Sequence, residues 1–518
     1  MHDIKNLIQN VRWLFIGTIL SNIISIFVTI FLIRKLPIAE FGIYSLFLGS
    51  LKIFQIFSIN GVVVSLRRFV PELIQKNFFS YTKKLVKNLY LFSLSSIIFV
   101  VSIVFIFRHQ TGLILQIKGF DLYYTIFIIN ILLYLQSVFN NSLLTTLYEQ
   151  KFLSVTNIIS LIVRGILYAV LLHEITIELI FIIEAISVGI KAISGDIYSY
   201  YKLKNIGGEE DILIDYEGSK TNRKRIGKYI ALSTFNEMGE SAFSQVSDYY
   251  FISAFLGPAA IGLYAFPYKL LSSILSWIPF ANINQIVKPY FIKQYYEMGE
   301  NSRYLNMVYN ILTKIFLFLL GFIFINVVAY QNLINIYLFD SKYLGTQLLL
   351  IIVIPFFLVR AFGFPNSFIL EVSENIQYNL YAKVFAVINV IAVFLVLKFT
   401  QWGIIGVGAA TGCAAILKNF YIYYFIKKRT SVSLNIIEMS KSILLLVFVG
   451  IISIGSSYID SIFFKVFLPF SLSVITFLLF IKLFNPFNSD EKKQLNKLFN
   501  FIPLKINFMK KLFVFSIS

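Results

Sequence analysis

Lys52, Arg164, Lys191, Lys269 and Arg360 stand deep inside long apolar runs. A charge at the centre of a bilayer costs roughly 2.5–3.5 kcal/mol even on the lenient insertion scale, so each needs a polar cavity or a partner. Cations gathered on a cavity suit an anion, and lysine binds phosphate or pyrophosphate mainly as a point charge. The plainer alternative for each is a snorkelling or structurally paired side chain. An acidic set accompanies them: Glu184, Glu237, Glu240 and Asp248. Glu237, Ser241, Ser244, Gln245 and Asp248 recur at spacings of three and four, which places them on one stripe of a helix. Three roles stay open for Asp248: H+ or Na+ coupling, pairing with a buried Lys or Arg, and simple exposure. Glu237 and Glu240 also suit a cytoplasmic vestibule.

The elements that must position these groups are membrane helices. A chain of 518 residues that is 58% hydrophobic and 14% charged cannot hide its apolar side chains in one water-soluble core. A helix needs about 20 mainly apolar residues to cross a bilayer, and about fourteen segments meet that need. Their centres fall near Leu20, Phe54, Ile97, Leu132, Ile162, Ile186, Ser241, Ser273, Leu317, Phe357, Ile388, Ala410, Phe448 and Ile475. These are continuous runs, not the short alternating strands of a membrane barrel, so the expected class is an all-α polytopic membrane protein. The first run lacks a small-residue cleavage site and is expected to remain as an anchor. Pro267, Pro279, Pro355 and Pro365 are expected to kink the eighth and tenth spans.

The net charge of +19 would suggest nucleic acid in a soluble protein; here the basic residues collect in loops, which points to anionic headgroups and topology instead. The basic loops after the second, sixth and twelfth spans and the basic tail fall on one side, so both termini are expected in the cytoplasm. The Ile, Phe, Lys and Asn bias suggests an AT-rich bacterial genome, hence a bacterial cytoplasmic membrane. One cysteine, Cys413, and three scattered histidines offer neither a disulfide nor a metal site.

A duplication organises the chain. Leu36, Ala39, Gly42, Tyr44 and Arg68 fall on Leu256, Ala259, Gly262, Tyr264 and Lys288 at a constant offset of 220 (262 − 42). Lys52 aligns with Ser272, one turn from Lys269, so the two copies are expected to present cations at a similar depth. Six intervening spans make this a parallel repeat about an axis along the membrane normal. The expected division is an N-lobe over 1–205, a cytoplasmic linker over 206–228 with an acidic then a basic patch, a C-lobe over 229–430, two further spans over 431–482, and a basic amphipathic tail over 483–518.

Arg34-Lys35-Leu36-Pro37, Glu40-Phe41-Gly42-Ile43-Tyr44 and the stretch from Gly61 to Arg68 and Pro71 resemble the Wzx O-antigen flippases. These belong to the multidrug/oligosaccharidyl-lipid/polysaccharide (MOP) exporter superfamily. The resemblance implies two six-helix lobes around a cationic cavity. It also implies transport of an undecaprenyl-pyrophosphate-linked oligosaccharide from the cytoplasmic to the outer leaflet by alternating access. Related lipid II flippases carry essential basic residues in helices 1, 2 and 8, which carries over to Arg12, Lys52 and Lys269. The expected partners are the polyprenyl-pyrophosphate oligosaccharide, the bilayer and the polysaccharide polymerase machinery, with no nucleic acid and no cofactor beyond an H+ or Na+ gradient. Two rivals stand beside it. A multidrug/cation antiporter of the same superfamily would want an acidic, aromatic-lined cavity. A membrane glycosyltransferase or polymerase would want catalytic acids on a long external loop, and no external loop is long. An enzyme is not expected, and no phosphate-cradling glycine loop supports ATP use.

Overall fold

The computed structural model describes residues 2–171, 174–206, 220–241, 245–276, 291, 294–295, 297, 301–334, 336, 340–373, 375, 377–456 and 462–501. Every regular element among them is a helix. Ten are long and apolar enough to cross a membrane. The centres expected near Ile186, Ser241, Ser273 and Ile475 also fall in helices, but these are more polar or border residues outside the described set.

Contacts group the chain into two compact units, Met1–Trp277 and Ile278–Ser518. The first holds α1 (His2–Lys35), α2 (Ile38–Ser58), α3 (Asn60–Gln75), α4 (Phe79–Ile106), α5 (Arg108–Ile114), α6 (Phe120–Thr146), α7 (Gln150–Val170), α8 (Ile177–Asn205), α9 (Lys220–Ser241), α10 (Gln245–Leu256) and α11 (Pro258–Ser276). The apolar run expected as one second span is bent: Ile59, at φ −126° and ψ −5°, separates α2 from α3. Beyond the bend α3 is amphipathic. Val62, Leu66, Phe69 and Val70 join Leu85, Leu89 and Phe139 in one buried cluster, while Arg67 and Arg68 face outward. Tyr229 and Ile230 of α9 pack on that cluster, so the basic stretch from Lys220 to Lys228 is helical and continuous with the seventh span. The acidic patch before it lies outside the described residues.

In the second unit run α12 (Ser302–Leu333), α13 (Gln347–Leu358), α14 (Arg360–Val372), α15 (Gln377–Tyr381), α16 (Val384–Phe399), α17 (Gly403–Thr430), α18 (Ile436–Ser456), α19 (Ile462–Phe484) and α20 (Ser489–Phe501). The tenth span is interrupted as its prolines suggest: α13 contains Pro355, α14 contains Pro365, and Val359 lies between them. Pro267 sits inside α11, and Pro279 is outside the described residues.

α12 is the buried centre of this unit. Lys314 on it is fully buried and pairs with Glu438 of α18 and with Glu491 of α20 at 2.7 Å. A lysine so enclosed is tolerable only when its charge is matched and its protons are bonded. The same carboxylate caps its own helix. Asn488 Oδ1 accepts from the Glu491 amide at 2.9 Å, and Glu491 Oε2 accepts from the Asn488 amide at 2.9 Å. Leu495 and Gln494 of α20 are buried too, with Gln494 donating to Tyr304 of α12 at 3.2 Å. The apolar face of α20 is thus covered by its own unit.

Candidate functional site

Arg164 and Tyr168 stand one turn apart on α7 and converge on Glu184 of α8. The guanidinium Nη1 donates to both carboxylate oxygens, at 3.3 and 3.1 Å, and the Tyr168 hydroxyl donates at 3.0 Å. Tyr44 of α2 adds a fourth hydrogen bond, at 3.2 Å. Glu184 is 4% exposed. A carboxylate at that depth keeps its charge only with a cation and several donors around it, and this one has both. The sequence placed Arg164 among the anion-binding candidates and Glu184 among the ion-coupling or ion-pairing ones; in the fold each is the other's partner. Arg164 Nε remains buried without a hydrogen-bond partner among the described residues.

Lys269 on α11 and Lys191 on α8 both lie in the field of this pair, close enough to feel Arg164 and Glu184 together. Both are partly buried, and neither forms an ion pair among the described residues. Glu184 is already committed, so the local balance around these lysines is positive. Lys52 is exposed on α2. Ser272, its repeat counterpart, turns its hydroxyl back to the Tyr268 carbonyl at 2.6 Å.

Asp248 on α10 is 1% exposed and accepts from the Tyr264 hydroxyl at 2.6 Å. Tyr264 and Tyr268 hydroxyls are bonded to each other at 3.0 Å. Tyr44 and Tyr264 are repeat-related (264 − 44 = 220), and both donate to a buried carboxylate. Sequence reasoning aligned these tyrosines without giving them a role. Their signal was their recurrence at matched positions just inside an apolar run.

The helices that carry these groups meet at glycine. A Cβ on Gly42 of α2 would land on the Pro258 carbonyl oxygen of α11, and one on Gly262 would land on the Ile38 carbonyl oxygen of α2. Nearby, Ser253 of α10 donates to the Leu115 carbonyl at 2.6 Å, and Gln116 Nε2 donates to the Ala254 carbonyl at 2.7 Å. These bonds tie the segment after α5 to the end of α10.

Glu237 is half-buried on α9. Arg12 lies on α1, Arg360 opens α14 and Glu240 lies on α9, but their side chains are outside the described residues, as are those of Ser241 and Ser244. Lys314, not singled out in the sequence, proves to be the most deeply enclosed cation of the second unit's described residues. No cluster of His, Cys, Asp and Glu fit to hold a metal occurs among the described residues.

Residues 7–295, more than half of the chain, match the family described as "Polysaccharide biosynthesis protein". No curated relative matches the sequence. Among solved structures, the chain resembles the lipid II flippase MurJ in an inward closed conformation. The identity is 16%, covering 90% of this chain and 98% of that one, with a TM-score of 0.65. It also resembles an inward-facing multidrug resistance MATE family transporter of the MOP superfamily, at 13% identity over 80% of this chain and 94% of that one, with a TM-score of 0.58. A third likeness is to a MOP superfamily transporter from Pyrococcus furiosus whose binding pocket is described as of reverse polarity. Here the identity is 13% over 82% and 95% of the two chains, with a TM-score of 0.52. At such identities the likeness is one of fold.

Proposed function

Because the chain belongs to the polysaccharide biosynthesis protein family, we propose that it is a flippase that carries an undecaprenyl-pyrophosphate-linked oligosaccharide, of the O-antigen or capsule repeat type, from the cytoplasmic to the outer leaflet. The observation that carries this reading is the surplus of positive charge among the membrane helices of the first unit. Arg164 is neutralised by Glu184, while Lys191 and Lys269 stand in the same field without an ion pair among the described residues. Partly buried lysines of this kind favour an anionic headgroup, and Lys269 faces its pyrophosphate.

In this reading the pyrophosphate meets Lys269 and Lys52, with Arg12 as a further contact, and Lys191 is left to the sugar part of the headgroup. The polyprenyl chain stays in lipid, because hydrocarbon gains nothing by crossing a charged cavity. Alternating access moves the headgroup, and no covalent chemistry is needed. Consumption of the lipid-linked product outside, with a polymerase as partner, supplies direction. Asp248 is the candidate for assistance by H+ or Na+, with Glu237 and Glu240 on the approach to it. The membrane is the bacterial cytoplasmic membrane, with both termini inside.

A multidrug or cation antiporter is the second reading, favoured by one observation: the buried Asp248 carboxylate beside Tyr249, Tyr264 and Tyr268. The test is flipping of a fluorescent polyprenyl-pyrophosphate oligosaccharide in proteoliposomes, comparing the native protein with Lys52→Ala/Lys269→Ala at matched insertion. Loss of flipping in the double variant supports the flippase. Export of a cationic dye with no lipid movement transfers the assignment to the antiporter.

A further inference from the structure

A cavity of about 400 Å3 opens among α1, α6, α7 and α8, and its lining is unlike that of a structural void. Thr18, Asn141, Thr145, Gln150 and Asn157 supply hydroxyls and amides to it, and Lys191 supplies its charge. Its size lies within the ~300–1,000 Å3 of small-molecule sites, and a dry cavity of that size would be apolar. Tyr134 and Phe152 complete the wall.

The charges around the cavity are unequal in what they have left to give. Two carboxylates lie close by in sequence, and both are spent. Asp196 accepts from Gln136 at 2.5 Å and from Asn140 at 2.8 Å. Glu149 pairs with Lys202 at 2.5 Å and accepts from Tyr198 at 2.8 Å. Neither carboxylate lines the cavity. Glu184, whose field reaches Lys191, is held by Arg164 and two tyrosines. Lys191 is therefore a lining cation with no ion pair among the described residues, set among neutral groups that bond to hydroxyls.

We propose that this cavity is a subsite for an acidic monosaccharide, a hexuronate within the transported oligosaccharide, with Lys191 facing its carboxylate and the amides and hydroxyls of α1, α6 and α7 bonding its ring hydroxyls. The proposal rests on the flippase reading, and names the kind of sugar that reading leaves open. A neutral sugar would leave the lysine uncompensated; a carboxylate both neutralises it and accepts its hydrogen bonds. A pyrophosphate offers the same charge, so the test separates the two anions.

The experiment is equilibrium dialysis of the purified full-length protein in detergent against trigalacturonate, the neutral trisaccharide maltotriose, and inorganic pyrophosphate. It compares the native protein with Lys191→Met and Lys191→Arg. The expected result is that trigalacturonate binds about tenfold tighter than maltotriose. Lys191→Met erases that preference, Lys191→Arg keeps most of it, and pyrophosphate binding is unchanged in all three. Equal binding of the two trisaccharides, a preference that survives Lys191→Met, or binding of neither overturns the proposal. So does loss of pyrophosphate binding in Lys191→Met, which would move the lysine to the pyrophosphate site. The flippase reading falls separately, if the lipid-linked oligosaccharide does not move in proteoliposomes.

Discussion

Gly42 and Gly262 lie 220 residues apart in the chain and face one another's helices in the fold, each with its Cα against a backbone carbonyl of the other helix. The carbonyls, of Pro258 and Ile38, are themselves 220 apart (258 − 38). Two copies of one segment thus meet through the same surface, as in a two-fold dimer, and glycine lets the backbones approach where a methyl would not fit. In a transporter that alternates access, such a contact is suited to form and break in the cycle.

Substituting leucine at either glycine is expected to keep α2 and α11 apart. Overpacking of a tight contact costs about 1–3 kcal/mol, enough to move a balanced conformational equilibrium about fivefold to a hundredfold. With the exposed Cys413 replaced by serine, a cysteine introduced at Ile38 should react faster with a maleimide in Gly262→Leu than in the native background. Flipping should fall in the same variant. An unchanged labelling rate would mean that the contact is static.

Removing Glu184 should be far worse than removing the pair. Glu184→Ala leaves Arg164 charged and enclosed, an error worth about 3–5 kcal/mol, whereas Glu184→Leu/Arg164→Met deletes both charges together and should regain much of it. Unfolding midpoints in detergent would show the order. If the double variant is no more stable than Glu184→Ala, the arginine was not confined by its partner.

The two repeat tyrosines should respond unequally to loss of the hydroxyl. Glu184 keeps Arg164 and Tyr168 when Tyr44→Phe removes one donor, so a loss near 1 kcal/mol is expected. Tyr264→Phe removes two bonds, the 2.6 Å one to Asp248 and the 3.0 Å one to Tyr268, so a loss of about 1–3 kcal/mol is expected. Thermal unfolding of the two variants side by side tests this ordering.

At the end of α3, Lys76, with Arg68 and Arg225 around it, holds the Glu72 carboxyl below its ordinary value of 4.5. A depressed carboxylate stabilises the fold above its unfolded pKa and loses that contribution as pH falls through the folded value. The link from Glu72 to Arg225 of α9 should therefore hold at neutral pH and loosen below pH 4.5. Unfolding midpoints in detergent should fall slightly more on acidification in the native protein than in Glu72→Gln, while Tyr229 and Ile230 keep α9 packed on α3 in both.

Lys314 anchors α20 through Glu491. Lys314→Met leaves two carboxylates facing an apolar side chain, at an expected cost of about 3–5 kcal/mol, so limited proteolysis should reach α20 earlier than in the native protein. Equal protection would show that Leu495 and its apolar neighbours suffice to hold the helix.

The sequence by itself determined the helical class, the approximate place of most membrane spans and the duplication, because these rest on local quantities. Run length, apolar content and proline position decide where a helix can cross or break, and a constant offset is visible without coordinates. It also marked Arg164, Glu184, Lys191, Lys269 and Asp248, since a charge in an apolar run is conspicuous wherever it lies. Their roles belonged to the tertiary structure. Arg164 and Glu184 lie on different helices, and no spacing rule says that one will neutralise the other while Lys191 and Lys269 form no ion pair among the described residues. Tyr44 and Tyr264 gained their part only when α8 and α10 brought a carboxylate to each hydroxyl. Lys314 was passed over because its two acids come from helices far along the chain, at Glu438 and Glu491. What a buried charge does depends on which helix face is opposite, and that is decided by packing.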